Sequence, residues 1–154
     1  MVSSEQLAGF GLFGRLTEAY REAVARTAQD VGYPDQARIF AEGQDASGCW
    51  LIRAGQVALQ TQVPGRGDVV VQTLGPGDVL GWSWLVPPYV WHFTATAAGP
   101  VSAIRLDTVR LRLLADEDPG LGYPLSLGLL EILLARLQST RSRLLDVYGS
   151  PRDR

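Results

Sequence analysis

The sequence predicts a mainly β α+β domain: an antiparallel double-stranded β-helix, or jelly-roll barrel, with an N-terminal helix and a long C-terminal dimerisation helix. Three observations carry this. Between Gln36 and Leu106, short apolar runs are cut at close intervals by Gly- and Pro-containing turns. Within that region Val57, Leu59, Thr61 and Val63 alternate with Ala58, Gln60 and Gln62, the period of a strand with one buried face. Near the end, apolar residues recur at alternating spacings of three and four, the mark of a helix with one apolar seam.

The elements follow in order. Residues 1–35 read as helical and then break: Thr17 caps a helix running to about Gln29, with Tyr20, Val24 and Ala28 on one face, and Gly32-Tyr33-Pro34-Asp35 ends it. Residues 36–106 form the barrel. Its strands are Arg38–Phe40, Cys49–Arg53, Val57–Val63 and Val69–Leu74, followed by His92–Ala98 and Val101–Leu106. Pro64 to Asp68 turns the middle hairpin. Residues 107–148 are helical. Asp107 or Thr108 caps a short helix to about Ala115, and Asp118-Pro119-Gly120 interrupts. A long helix then runs from Ser126 to Tyr148. Its seam is Leu127, Leu130, Leu134, Leu137, Arg141 and Leu144, and Gly149 and Pro151 stop it ahead of a tail over 149–154. At roughly 1.5 Å per residue this helix outruns a small barrel, so a second copy of itself is the expected partner.

Composition narrows the function. The 154 residues carry a net charge of -2, which gives no field for nucleic acid or an anionic membrane. The single cysteine, Cys49, excludes an intrachain disulfide and a Cys-x-x-Cys site, and suits a reducing cytoplasm. The single histidine excludes the two-His-one-carboxylate metal site, so no metal and no cofactor is expected. Met1 to Phe10 lacks a basic start followed by an apolar run, so no signal peptide is expected there. The leucine-rich stretch from Leu121 to Leu134 is broken by Pro124, Ser126 and Glu131, and no membrane insertion is expected.

The densest chemistry lies between Gly77 and Ala98. This segment holds three of the four Trp residues, the Pro87-Pro88 pair and the histidine, with Asp78 as its one charged side chain. Three readings stand for its rings. Trp82, Trp84 and Phe93 line a ligand pocket with Gly81, Ser83, Leu85, His92 and Thr94; or Trp84, Pro87, Pro88, Tyr89 and Trp91 dock a partner protein; or the rings are core. A Ser83–His92 nucleophile lacks a third group, so no enzyme activity is expected.

Four short motifs stand in order along the chain: Phe40-Ala41-Glu42-Gly43, Leu51-Ile52-Arg53-Ala54-Gly55-Gln56-Val57, Leu74-Gly75-Pro76-Gly77-Asp78-Val79-Leu80-Gly81, and Arg136-Leu137-Gln138-Ser139-Thr140. Together they resemble the cyclic-nucleotide-binding domain of the cAMP receptor protein superfamily, from about Phe10 to Gly149. In that family a Gly-Asp-x-x-Gly-Glu sequence opens a phosphate cassette. The Glu holds the ribose hydroxyl, and an Arg further along pairs with the cyclic phosphate. Here Trp82 stands at the Glu position and His92 at the Arg position. Trp82 cannot accept a hydroxyl's hydrogen bond, and His92 lacks the guanidinium fork.

The resemblance places Thr140 where the family meets the adenine, with Arg136 a turn before it; the alternative is that both are surface positions. It implies a non-enzymatic regulatory or sensor module, acting as a homodimer through protein partners. Two alternatives stand: a cyclic-nucleotide receptor with unusual phosphate ligands, and a structural subunit of a larger assembly. With only six residues after Tyr148, no recognition helix is expected and no direct DNA binding.

Overall fold

The computed structural model describes residues 1–149; the tail from 150 on, with its Pro151 stop, lies outside the described residues. Helix α1 (Ser4–Ala8), a 3-10 turn (Gly11–Phe13) and α2 (Glu18–Ala25) precede eight strands. These are β1 (Ala28–Tyr33), β2 (Arg38–Phe40), β3 (Gly48–Ala54), β4 (Val57–Val63), β5 (Gly67–Leu74), β6 (Val79–Leu80), β7 (Thr94–Ala97) and β8 (Val101–Asp107). A second 3-10 turn (Ser83–Leu85) lies between β6 and β7, and α3 (Thr108–Glu117) and α4 (Pro119–Gly149) close the chain.

The strands form two antiparallel four-stranded sheets, β1-β8-β3-β6 and β2-β7-β4-β5. This is the jelly-roll architecture, but the barrel is not closed: among the described residues no hydrogen-bonded strand pair joins one sheet to the other. Cys49, Leu51, Val57, Leu59, Ala95, Ala97, Ala103 and Leu106 all belong to one buried core, to which both sheets contribute. The Val57-to-Val63 alternation does build a half-buried strand, paired on one side with β5 and on the other with β7. Gly55, at φ +89, turns β3 into β4. A side chain there would strike the Pro100 carbonyl, so only glycine fits.

The N-terminal helix differs from its predicted length. Thr17 caps α2 by accepting from the Tyr20 amide, as its position predicts, but α2 ends at Ala25. The Thr27 hydroxyl donates to the Val24 carbonyl at 2.7 Å, and Ala28–Tyr33 pairs with β8 from Leu106 back to Val101. A six-residue ladder outweighs the helical spacing of Ala28.

Asp107 is the cap of α3, its Oδ1 accepting from the amides of Val109 and Arg110. Helix α4 starts earlier than Ser126: Pro119 opens it, and Leu121, Leu125 and Leu129 form its buried stripe. From Leu134 onward it runs largely clear of the sheets. By length and composition alone α4 passes as a membrane-crossing helix, a property it shares with core and interface helices.

Glycines let α4 sit close to its neighbours. A Cβ at Gly128 would lie 2.5 Å from the Leu12 carbonyl oxygen of the first 3-10 turn. Gly128→Ala is therefore expected to lower stability by about 1–3 kcal/mol, read as a drop in thermal midpoint. An unchanged midpoint would mean that the N-terminal segment is not held against α4.

Candidate ligand pocket and the aromatic segment

The site is built from the turn into β6 outward. Asp78 Oδ2 accepts from the Gly75 amide at 2.8 Å, and its carbonyl accepts from the Ile52 amide, which ties the turn to β3. Gly81 follows at φ +96, where a Cβ would lie 2.9 Å from the Trp91 ring and 3.2 Å from the Gly48 carbonyl. The Gly-Asp-x-x-Gly spacing thus serves a turn and a close approach.

Beyond Gly81 the chain makes the second 3-10 turn, and the rings separate. Trp84 is fully buried and donates from Nε1 to the Gly81 carbonyl at 3.2 Å. Trp91 is buried too, stacked on Phe40 at 3.8 Å between centroids and tilted against Trp50. Neither is available as a docking surface, so that reading of Trp84 and Trp91 is corrected: both are core. The outward side chains are Val86, Pro87 and Pro88, with Tyr89 half-buried beneath the Arg112 guanidinium at 4.1 Å. Arg112 also donates to the Trp84 carbonyl, so α3 braces the loop.

Gly81, Trp82, Ser83, His92, Phe93 and Arg136 do come together. They line a cavity of about 20 Å³, with Phe40, Leu59, Leu80 and Trp91 supplying the rest of its wall. That volume holds one water molecule. Its mouth is occupied by the chain's own rings: His92 lies parallel to Trp82 at 5.1 Å, and His92 Nδ1 is 3.1 Å from Ser83 Oγ. The two residues that the resemblance matches to the ribose and phosphate contacts are thus an indole and an imidazole stacked on each other.

Four of the expected pocket residues lie elsewhere. Trp84 is in the core, Leu85 is half-buried in the 3-10 turn, and Thr94 accepts from the Glu42 amide at 3.0 Å. Thr140 is exposed on α4, its hydroxyl accepting from Arg143 at 3.4 Å. It makes no pocket contact. Phe40, Leu59 and Leu80 were not singled out from the sequence, because strand residues facing a pocket carry the same apolar signature as strand residues facing the core.

Arg136 spans from α4 to the cassette. It donates to the Val79 carbonyl, and burial holds its guanidinium below the usual arginine range. Seven residues on, Arg143 donates to the Val71 carbonyl at 3.3 Å. Below the cassette, burial pushes the Cys49 thiol up to about 12, which leaves it inert as a nucleophile. At the base of α4, Arg15 forks onto Glu131 at 2.5 and 2.7 Å and holds that carboxyl below its usual range.

Residues 30–118 match the family model for the cyclic nucleotide-binding domain, more than half of the chain. The chain belongs to the cyclic nucleotide-binding domain family. It is 27% identical over 143 residues to a CRP-like cAMP-activated global transcriptional regulator of Mycobacterium tuberculosis, covering 93% of this chain and 62% of that protein. The chain thus spans under two thirds of the length of that relative. Among solved structures, one described as a cyclic nucleotide-binding protein, from Geobacter metallireducens, matches with a TM-score of 0.82 and 28% identity, over 89% of this chain and 99% of that one. A cyclic nucleotide-binding domain from Methylobacillus flagellatus superposes with a TM-score of 0.79 over 92% of this chain and 84% of that one; at 19% identity it shows the fold alone. The domain's scaffold is that of a regulatory binding family.

Proposed function

We propose that this domain is a non-enzymatic regulatory module that does not hold a cyclic nucleotide in the family's usual way and acts through protein contacts. The observation that carries this reading is the cavity of about 20 Å³ at the cassette. Small-molecule sites run from roughly 300 Å³ upward, so the space beside Trp82 and His92 is more than tenfold too small. The lost charge-assisted contacts act in the same direction: each buried pair of that kind contributes about 2–5 kcal/mol. Calorimetric titration with cAMP and with cGMP tests the reading. The expected result is no binding tighter than ~100 μM. Tighter binding would favour the alternative, a cyclic-nucleotide receptor using main-chain amides near Ser83 for the phosphate.

The module is proposed to work as a homodimer through α4. Leu130, Leu134, Leu137 and Leu144, with Arg141 among them, face solvent along one side of the helix, and Leu127 is half-buried at its start. An exposed apolar stripe of this length on a helix that leaves its own sheets suits a second copy of the same helix. The expected setting is the cytoplasm, without membrane insertion, and Val86, Pro87, Pro88 and Tyr89 form the surface proposed to meet a protein partner. A filled cassette also suits a structural subunit with no small ligand. Native mass spectrometry of protein purified from its own host separates the two: a co-purifying small molecule excludes the structural reading.

A further inference from the structure

The free volume near the cassette lies on the far side of Arg136. There a cleft of about 360 Å³ opens between the first 3-10 turn, the β5–β6 turn and α4, within the size range of small-molecule pockets. Ile132 and Ala135 supply apolar walls, Gln72, Thr73 and Asp78 supply polar groups, and Arg136 closes one side. The side chain of Arg136 separates this cleft from the small aromatic cavity and lines both.

Arg136 is incompletely used. Its guanidinium carries five N–H donors and a permanent charge, and among the described residues its one hydrogen bond is to the Val79 carbonyl. Among the described residues the ion pairs are Arg15–Glu131 and Arg53–Asp30, and no carboxylate lies within 4.0 Å of Arg136. Asp78, the nearest anion on the cleft wall, holds the Gly75 amide instead. A partly buried cation with spare donors beside an open, half-apolar cleft is a ready anion site. The Asp78 charge on the same wall selects against a dianion and leaves room for one negative charge.

We infer that this cleft binds a small amphipathic monocarboxylate, its carboxylate on Arg136 and its apolar body against Ile132 and Ala135. The site lies beside the nucleotide cassette and does not depend on whether the cassette takes a nucleotide. It joins the N-terminal segment to α4, so an occupant would fasten the two together.

Sodium octanoate is the probe, followed by amide chemical shifts of the isotope-labelled protein, with 1-octanol as the uncharged control. Expected are saturable shifts at Leu12, Thr73, Ile132 and Arg136, with octanoate binding at least ~10-fold tighter than octanol. Arg136→Gln is expected to remove that preference. Ala135→Trp, which keeps the cation and fills the cleft, is expected to abolish binding. The same spectra report whether each variant is folded, and the octanoate–octanol comparison requires no variant. The inference is overturned by an absence of saturable shifts, by equal binding of octanol, by full affinity in folded Arg136→Gln, or by shifts confined to the exposed leucines of α4.

Discussion

Leu134→Glu is expected to convert the protein from dimer to monomer in sedimentation velocity, with the secondary structure unchanged. Leu134 sits midway along the exposed stripe and is 52% accessible. Its loss therefore costs the isolated domain little. In a paired helix the same position would be covered by the second copy. Each dimer would lose two buried leucine side chains, worth about 1.5–3 kcal/mol apiece, and gain two like charges facing each other in a dry seam. Several kcal/mol correspond to more than a thousandfold in dissociation constant, enough to abolish association at ordinary concentrations. Arg141 sharpens the test. Replacing it with Leu is expected to tighten the dimer or change its stoichiometry, because a lone polar residue in such a seam sets register at some cost in stability. A Leu134→Glu protein that stays dimeric would place the interface elsewhere, and a monomeric wild type would remove the proposal.

The second large effect is a gain. The double substitution Trp82→Glu and His92→Arg is expected to tighten cAMP binding at least ~30-fold relative to the parent, for a contribution of about 2 kcal/mol. The first change removes the indole that stacks on His92 and supplies an acceptor for a ribose hydroxyl. The second supplies a fork for the phosphate at a position already open to solvent. Each single variant is expected to gain less than the pair, because each leaves one ring in the mouth of the cavity. Calorimetry on all four proteins measures this directly. A double variant that stays silent would show that these two positions do not account for the difference from the family pattern, and would direct attention to the exposed position of Thr140.

Parts of this molecule were plain in the chain and parts were hidden, and particular residues show why. Val57 to Val63 was legible because strand alternation is a local signal that one buried face imposes on successive residues. Thr17 and Asp107 were legible as caps because a short acceptor side chain ahead of a helix has few other uses. Ala28–Tyr33 was read as the end of a helix because its partner, β8, lies some seventy residues away in sequence, and no local pattern announces a distant ladder. The two-residue strand β6 carries no pattern at all; it exists because Trp50 and Leu51 present free backbone groups to Val79 and Leu80. Within the site, Trp82, Ser83, His92, Phe93 and Arg136 were identified from the sequence and do converge. Thr140 was placed by its position in a motif, which fixes its place along α4 but not whether the helix lies over the pocket at that point.

The amino-acid sequence alone determined the family pattern, the strands with clear alternation, the apolar stripe of α4 and the aromatic character of the segment that holds Trp82 and His92. These are properties of residue type and spacing, and neither changes on folding. Only the tertiary structure decided that Trp84 and Trp91 are core, that the sheets stay open, that the cassette shrinks to about 20 Å³ and that Arg136 faces a larger cleft. The physical reason is that burial and free volume belong to no single segment. They arise where side chains from β2, β4, the aromatic loop and α4 compete for the same space, and close packing between distant parts of the chain settles which ring goes in.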